Sequence, residues 1–378
     1  MFEDRSSQNA HSGEVHFWRK RRHFSSTSRT LFYSALVLSV AVFFANHVSP
    51  ASFWIAGFVA PLAPLIFVGN VILAVYQLFR KSFRAVLVAI VLIIGWPILP
   101  KTYQYNSEHP IPGEQTMFRG LSYNVSFFSV PTVFTKEYKS PSYNIGVTGT
   151  LDWILQNDAD IICLQEFFDD EESAIFNTVE ALTSGSEYQY HFVYKEQPKN
   201  RTRRGLIILS KFPIINRGTV FISENQYNGA IYADVETPWG AVRVVNVHLE
   251  SMRLGNLKSL ASILRTYKEG VVTHARQSDQ LAAFVRESRL PVVLYGDLNE
   301  TPYSYAYYRL KLIMNNAFEV AGRGFGFTYD GERLFFLRID HQFYTEELRA
   351  IQHATHSSVP FSKHFPIETS FTLATSNQ

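Results

Sequence analysis

Between Leu31 and Phe79 the chain runs for 49 residues without Asp, Glu, Lys or Arg. One crossing of a bilayer core needs roughly 20 apolar residues. The polar, proline-bearing stretch from Asn46 to Ser52 divides the run, predicting one span over 31–46 and a second over 53–79. After Arg80, Lys81 and Arg84 a second uncharged run, Ala85 to Pro100, predicts a third span over 84–100 if Arg84 snorkels. The competing reading is a set of helices buried in a soluble domain, and the change of texture after residue 100 favours a membrane anchor over it. A cleavable signal peptide would have an apolar core of about 7 to 15 residues and would not continue into two further hydrophobic runs.

From Met117 the pattern shortens. Runs with β character occupy 118–125, 159–165, 190–194, 205–210, 230–235, 241–249, 291–295 and 334–344. Helical spacing fills 146–157, 171–183, 256–288 and 303–316. This mixture predicts an α/β domain over 117–372, built on one core and joined to the spans by a polar linker, 101–116, that carries Pro110 and Pro112.

Charge refines the picture. Residues 1–100 hold nine basic and three acidic side chains, leaving 26 basic and 30 acidic in the remainder. Basic residues in the tail 1–29 (Arg19, Lys20, Arg21, Arg22 and Arg29) and in the second turn (Arg80, Lys81, Arg84) place both on the cytoplasmic side. Three spans then put the domain outside the cytoplasm, on the periplasmic side of a bacterial membrane, whereas two would keep it inside. A mildly acidic domain lacks the cations that coat a long nucleic acid. The single cysteine, Cys163, excludes an internal disulfide and any multi-cysteine zinc site, and its apolar neighbours make it a packing residue.

Four hydrophobic strands end on a polar side chain, at the rim where ligands collect. Leu121-Ser-Tyr-Asn124 ends on Asn124, Ile161 to Glu166 on Glu166, Val244 to His248 on His248, and Val292 to Asn299 on Asp297 and Asn299. Singly, such residues are more often turn formers or caps than ligands; four together point to a site.

These pieces resemble the endonuclease/exonuclease/phosphatase superfamily over roughly 117–372, in family order: Ser-Tyr-Asn124-Val, Leu-Gln-Glu166, Arg-Gly-Leu-Ile-Ile-Leu-Ser210-Lys-Phe-Pro213, Asn-Val-His248-Leu, Gly-Asp297-Leu-Asn299-Glu-Thr-Pro302, Arg-Ile-Asp340-His and Ser-Lys363-His364-Phe-Pro366. The resemblance implies a four-layer α/β sandwich, two packed mixed sheets flanked by helices.

The chemistry such groups can perform is hydrolysis of a phosphate ester. A divalent cation offsets the charge that repels hydroxide, and Glu166 and Asn124 offer the oxygen ligands that Mg²⁺ prefers, with Mn²⁺ as a substitute. His364 suits a general base. The resemblance implies that Asp340 orients its ring, that Asp297 and Asn299 hold the attacking water and a phosphoryl oxygen, and that His248 donates to the phosphate.

One position departs from the family. Asp usually precedes the base histidine and contributes to the metal site; here Lys363 stands there, and an ammonium cannot ligate a cation. Lys363 supplies charge to the substrate phosphate, or swings to solvent and leaves a weakened metal site, or marks a domain that has lost catalysis. Arg201, Arg203 and Arg204 form either a phosphate-binding edge, with Arg204 its candidate, or a solvated loop. His341 points away from the site by strand alternation. The expected function is therefore a membrane-anchored, Mg²⁺-dependent phosphoesterase, acting on nucleic acid or on a lipid or its head group. The alternative is a silent binding or scaffold domain.

Overall fold

Residues 26–102 are largely helical in the computed structural model, which describes residues 26–106, 118–129, 141–194, 202–224, 226–251, 259–331 and 337–374. The tail residues Arg19 to Arg22, the linker prolines Pro110 and Pro112, and Arg201 lie outside the described residues. Helices α1 (Ser26–Phe43), α2 (Trp54–Val59), α3 (Ala63–Phe79), α4 (Arg84–Gly95) and α5 (Ile98–Thr102) follow in order. Pro61 and Pro64 sit in first turns, where a missing N–H costs nothing. Asn70 on α3 donates to Ser39 Oγ on α1 at 2.9 Å, a polar clasp in an otherwise apolar pair.

Two stretches, Ser28–His47 and Trp54–Phe79, are long and apolar enough to cross a membrane. The third expected span is shorter than the sequence suggests. Helix α4 has 12 residues, about 18 Å at 1.5 Å per residue. Pro97 has no N–H to continue the ladder, although helical backbone angles carry through Trp96 and Pro97 into α5.

After β1 (Gln104–Tyr105) come β2 (Phe118–Asn124), α6 (Pro141–Asn157), β3 (Ile161–Asp170), α7 (Thr178–Thr183), β4 (Tyr190–Val193), β5 (Thr202–Ser210), β6 (Ile214–Ile222), β7 (Gly229–Thr237) and β8 (Gly240–His248). Then follow α8 (Leu260–Arg286), β9 (Val292–Asp297), α9 (Tyr305–Lys311), β10 (Asn315–Asn316), α10 (Ala317–Ala321), β11 (Arg323–Gly324), β12 (Asp340–Tyr344), β13 (Leu348–Thr355) and β14 (Ile367–Leu373). They build two mixed six-stranded sheets, β13-β14-β2-β3-β5-β4 and β10-β12-β9-β8-β7-β6. Alternate residues of both fill the space between them, including Phe118, Ile161, Cys163, Ile231, Val293 and Phe371. Side chains of α6 and α7 cover the outer face of the first sheet, and α8 and α9 that of the second. This is the four-layer α/β sandwich that the resemblance implies.

Several expected elements shift. Residues 171–177 form turns because Ser173 and Asp170 bind nearby backbone N–H groups, so that only α7 remains of the helix expected over 171–183. Strand β12 begins at Asp340, later than expected. Strands β6, β13 and β14 carry charges and a glycine through their alternation, which hides them in the sequence.

The helical third packs against α8, α9 and the loop before α9. Tyr267 donates to the carbonyl of Gly57 at 3.2 Å and stacks edge-on against Phe58. Tyr303 Oη meets Thr102 Oγ1 at 2.8 Å, and the His47 and Tyr308 rings lie 4.2 Å apart. The turn around 45–62 and the segment 98–102 thus lie at the domain's end of the helices.

Candidate active site

Strand register brings the polar strand ends together. The parallel pair β2/β3 sets Asn124 beside Gln165, and the parallel pair β8/β9 sets His248 beside Asp297. Antiparallel β12 starts with Asp340 opposite Asp297. The groups therefore collect at the carboxyl ends of the parallel strands, contributed by both sheets.

Two backbone features aim these side chains. A bulge in β3 between Leu164 and Phe167 puts Glu166 at φ +49 and turns it to the rim, while Gln165 stays between the sheets. Gly296 has φ +146, and a Cβ there would lie 1.8 Å from the carbonyl oxygen of Val247, so only glycine lets β8 and β9 approach this closely just before Asp297.

The floor of the site is buried and tightly bonded. Asn124 donates to Asp297 Oδ2 at 3.0 Å and accepts from the Ser126 N–H at 2.9 Å. Asp297 Oδ1 accepts from the Asn299 N–H at 2.7 Å, and the Asn299 side chain donates to the Leu249 carbonyl at 3.0 Å. Asn299 adopts φ +50, a conformation Asn tolerates better than most residues. His364 Nδ1 lies 3.0 Å from Asp340 Oδ2, and its Nε2 lies 3.8 Å from Asp297 Oδ2.

Charge follows from burial. Asp297 is pushed up to about 7 by desolvation and by Asp340 beside it, against the lowering influence of His364 and its hydrogen bonds. Burial works against a charge on His364, but Asp340 and Asp297 outweigh it and raise the ring to about 9. His248 behaves oppositely: desolvation, with His364 and His274 nearby, lowers it to about 3. Its Nε2 is 3.5 Å from Asp297 Oδ2 and 3.8 Å from Glu166 Oε1, yet a neutral ring forms no ion pair with either. Neither His248 nitrogen has a hydrogen-bond partner among the described residues, leaving a donor for a substrate oxygen.

Seven expected residues thus meet here: Asn124, Glu166, His248, Asp297, Asn299, Asp340 and His364. Two others flank them. Lys363 holds an exposed side chain, and its carbonyl accepts from the Asp330 N–H at 2.9 Å. Arg204 lies over the rings of Phe168 at 5.4 Å and Tyr227 at 6.0 Å.

The residues fit a divalent cation. Ligand atoms of Asp297, Asp340 and His364 lie within 4.8 Å of one another, and two of the three groups are carboxylates of the kind a hard cation prefers. This group differs from the expected ligand set of Glu166 and Asn124. The Asn124 oxygen is engaged with Ser126, whereas Glu166 keeps a quarter-exposed carboxylate at the mouth.

Other contributors have no motif to betray them. Thr328 Oγ1 accepts from the N–H groups of Ile339 and Asp340, fixing the strand start, and the Tyr329 ring lies 4.7 Å from that of His364. Ser362 donates to the Asn124 carbonyl at 2.7 Å and joins the two sides. Behind Asn299, Glu300 binds His274 of α8 at 2.8 Å, and its carbonyl takes His341 Nε2 at 3.0 Å, which turns His341 away from the site as alternation predicts.

No curated protein matches the chain. Among solved structures, an endonuclease/exonuclease/phosphatase from Beutenbergia cavernae aligns with a TM-score of 0.50 at 15% identity, covering 68% of this chain and 72% of its own. Truncated TDP2 of Caenorhabditis elegans aligns at 0.47 and 17% identity, covering 68% of this chain and 98% of its own. The helical segment 28–102 matches a domain family of unknown function. The sequence profile of the Endonuclease/Exonuclease/phosphatase family matches residues 121–366, nearly all of the sandwich and every group in the cleft, and the chain belongs to that family.

Proposed function

We propose that the protein is a membrane-anchored, Mg²⁺-dependent phosphoesterase whose catalytic domain stands on the side of the bilayer opposite its N-terminus. The observation that carries this reading is the convergence of the His364–Asp340 pair, Asp297 and the neutral His248 on one buried floor. Asp340 accepts from Nδ1 of His364, which directs Nε2 toward Asp297 as the atom that takes a proton from water. Asp297 and Asn299 orient that water and a phosphoryl oxygen. His248, held neutral by burial, donates its N–H to a second oxygen without carrying charge of its own. A divalent cation at the carboxylates of Asp297 and Asp340, with Glu166 at the mouth as a further oxygen ligand, would polarise the ester and offset the carboxylate charge that keeps the proton on His364. Lys363, exposed at the rim, supplies a positive charge to the phosphate.

The anchoring half of the reading rests on the two apolar stretches and on what touches the domain. Contacts come from the 45–62 turn and from 98–102, whereas Arg80, Lys81 and Arg84 lie at the other turn. Three passes, the last through α4 and α5, satisfy both that arrangement and the positive-inside rule.

Turnover by the full chain in detergent, against a panel of phosphodiesters and phosphomonoesters with Mg²⁺ or with chelator, tests the enzymatic half. Hydrolysis that chelator abolishes and Mg²⁺ restores supports it. Intact folding with no hydrolysis across the panel replaces it with a silent binding domain.

A further inference from the structure

Where the helices meet the sandwich they leave a cavity of about 380 Å³, within the range of small-ligand sites. None of the catalytic groups lines it. Its apolar lining includes Val42, Ala63, Ile94 and Ile98 of the N-terminal helices. Its polar lining includes Asn46, Lys101, Lys311 and the tyrosines Tyr303 and Tyr308.

The polar wall is unbalanced in two ways. Lys101 and Lys311 both line the cavity, and the Lys101 ammonium lies over the Tyr307 ring at 5.9 Å. Glu319 is committed to Lys311 at 3.0 Å and to the Tyr307 hydroxyl at 2.6 Å, and among the described residues no carboxylate lies within ion-pair distance of Lys101. Asn46 is 7% exposed, and its Oδ1 has no hydrogen-bond partner. A buried amide oxygen without a donor is costly, and a half-buried ammonium with no carboxylate in ion-pair contact leaves room for an anion. The cavity therefore lacks one anion and one O–H or N–H donor, beside a wall suited to hydrocarbon.

We propose that this cavity binds the head group of one anionic phospholipid, its phosphate on Lys101 and Lys311, a head-group hydroxyl on Asn46 Oδ1, and its chains along the apolar wall. The proposal rests on the membrane reading above. A phosphoglycerol head group supplies both missing partners; a phosphocholine group carries a balancing cation and has no donor. Free phosphate would satisfy the lysines and leave the apolar wall uncovered. Because Tyr303 belongs both to this wall and to the loop that follows Asn299, the lipid would sit against the segment that builds the catalytic floor.

The test uses the full chain in nanodiscs of phosphatidylcholine doped with phosphatidylglycerol, released into the gas phase to count retained lipids by native mass spectrometry. Extraction of the chain from membranes by alkaline carbonate would sink the membrane reading before the lipid question arises. For the integrated protein, one retained phosphatidylglycerol in preference to phosphatidylcholine is expected. Retention should fall about tenfold in Lys101→Gln and in Lys311→Gln, the scale of one charge-assisted hydrogen bond, and stay unchanged in Lys211→Gln, a lysine paired with Asp158 and Glu187. Asn46→Leu should abolish the preference, whereas an amide with no ligand would show unchanged retention and a higher melting temperature. Equal retention of the two lipids, indifference to both cavity lysines, or displacement by inorganic phosphate as effective as by phosphatidylglycerol would each overturn the proposal.

Discussion

Gln165 on one sheet donates to Asn246 Oδ1 on the other at 2.7 Å, directly beneath the catalytic floor. Asn246 in turn donates to the carbonyls of Leu164 and Ile207 at 2.9 and 2.8 Å, so this buried amide pair ties the sheets together, as Gln342 does elsewhere by donating to the carbonyls of Gly120 and Ile367. The site is divided between those sheets, with Asn124 and Glu166 on one and His248, Asp297 and Asp340 on the other. Asn246→Leu takes an acceptor from Gln165, which keeps its longer bonds to Ser122 Oγ and the Cys163 carbonyl, and a donor from each of two carbonyls, and should cost on the order of 1–3 kcal/mol in chemical unfolding. Turnover should fall at the same time, although no altered atom touches substrate. Full activity with reduced stability would show that the pair serves the core alone.

His364 and Asp340 can be separated by pH. A general base works unprotonated, so turnover should climb as pH rises through the His364 titration, which lies near 9 before a cation binds and lower afterwards. Asp340→Asn removes the charge that raises the ring, and should shift the rising limb to lower pH while lowering its plateau. His364→Ala should cut turnover by on the order of 10² or more and flatten the limb. A limb that survives in His364→Ala would assign the titration to another group.

Lys363 calls for a metal titration of the wild type beside Lys363→Ala and Lys363→Asp. If its ammonium stabilises the anionic transition state, Lys363→Ala lowers turnover more than it changes Mg²⁺ affinity. Tighter Mg²⁺ binding and faster turnover in Lys363→Asp would instead mark the lysine as a lost ligand position.

Gly296→Ala should yield no soluble, folded sandwich. The added Cβ meets the Val247 carbonyl at 1.8 Å, a contact with backbone that no rotamer relieves, at a φ of +146 that alanine resists. A folded variant with an intact near-ultraviolet spectrum would show that β8 and β9 can spread.

Reporter fusions decide the topology. A fusion after Tyr105 should be active for an exported reporter and silent for a cytoplasmic one, with the reverse at Lys81. Cytoplasmic activity at both positions would mean that α4 and α5 do not cross.

Much of this site is legible because strands that end on Asn124, Glu166, His248 and Asp297 announce it locally, each within a few residues of its own hydrophobic run. The distant partners leave no such trace. Nothing near Thr328 or Tyr329 indicates that they brace Asp340 and His364, since the bracing depends on a bridge formed only in the folded chain. The Glu166 bulge is equally hidden, because a left-handed glutamate has no sequence signature. The break at Pro97 in the third expected span is hidden for a related reason: hydropathy measures how apolar a segment is and overlooks what a proline does to its ladder.

Tyr303 reaches Thr102 only four residues after Asn299, and Tyr267 and Tyr308 close on the same helices. If the proposed anchoring holds, the N-terminal helices are accordingly a mount and not a leash. A leash would let the sandwich sample a hemisphere of orientations; a mount fixes the height and heading of the cleft. Cutting the chain after Thr102 would therefore not release a free-standing hydrolase. It would uncover a tyrosine-lined scar beside the catalytic loop, and the excised sandwich should self-associate unless that scar is covered again.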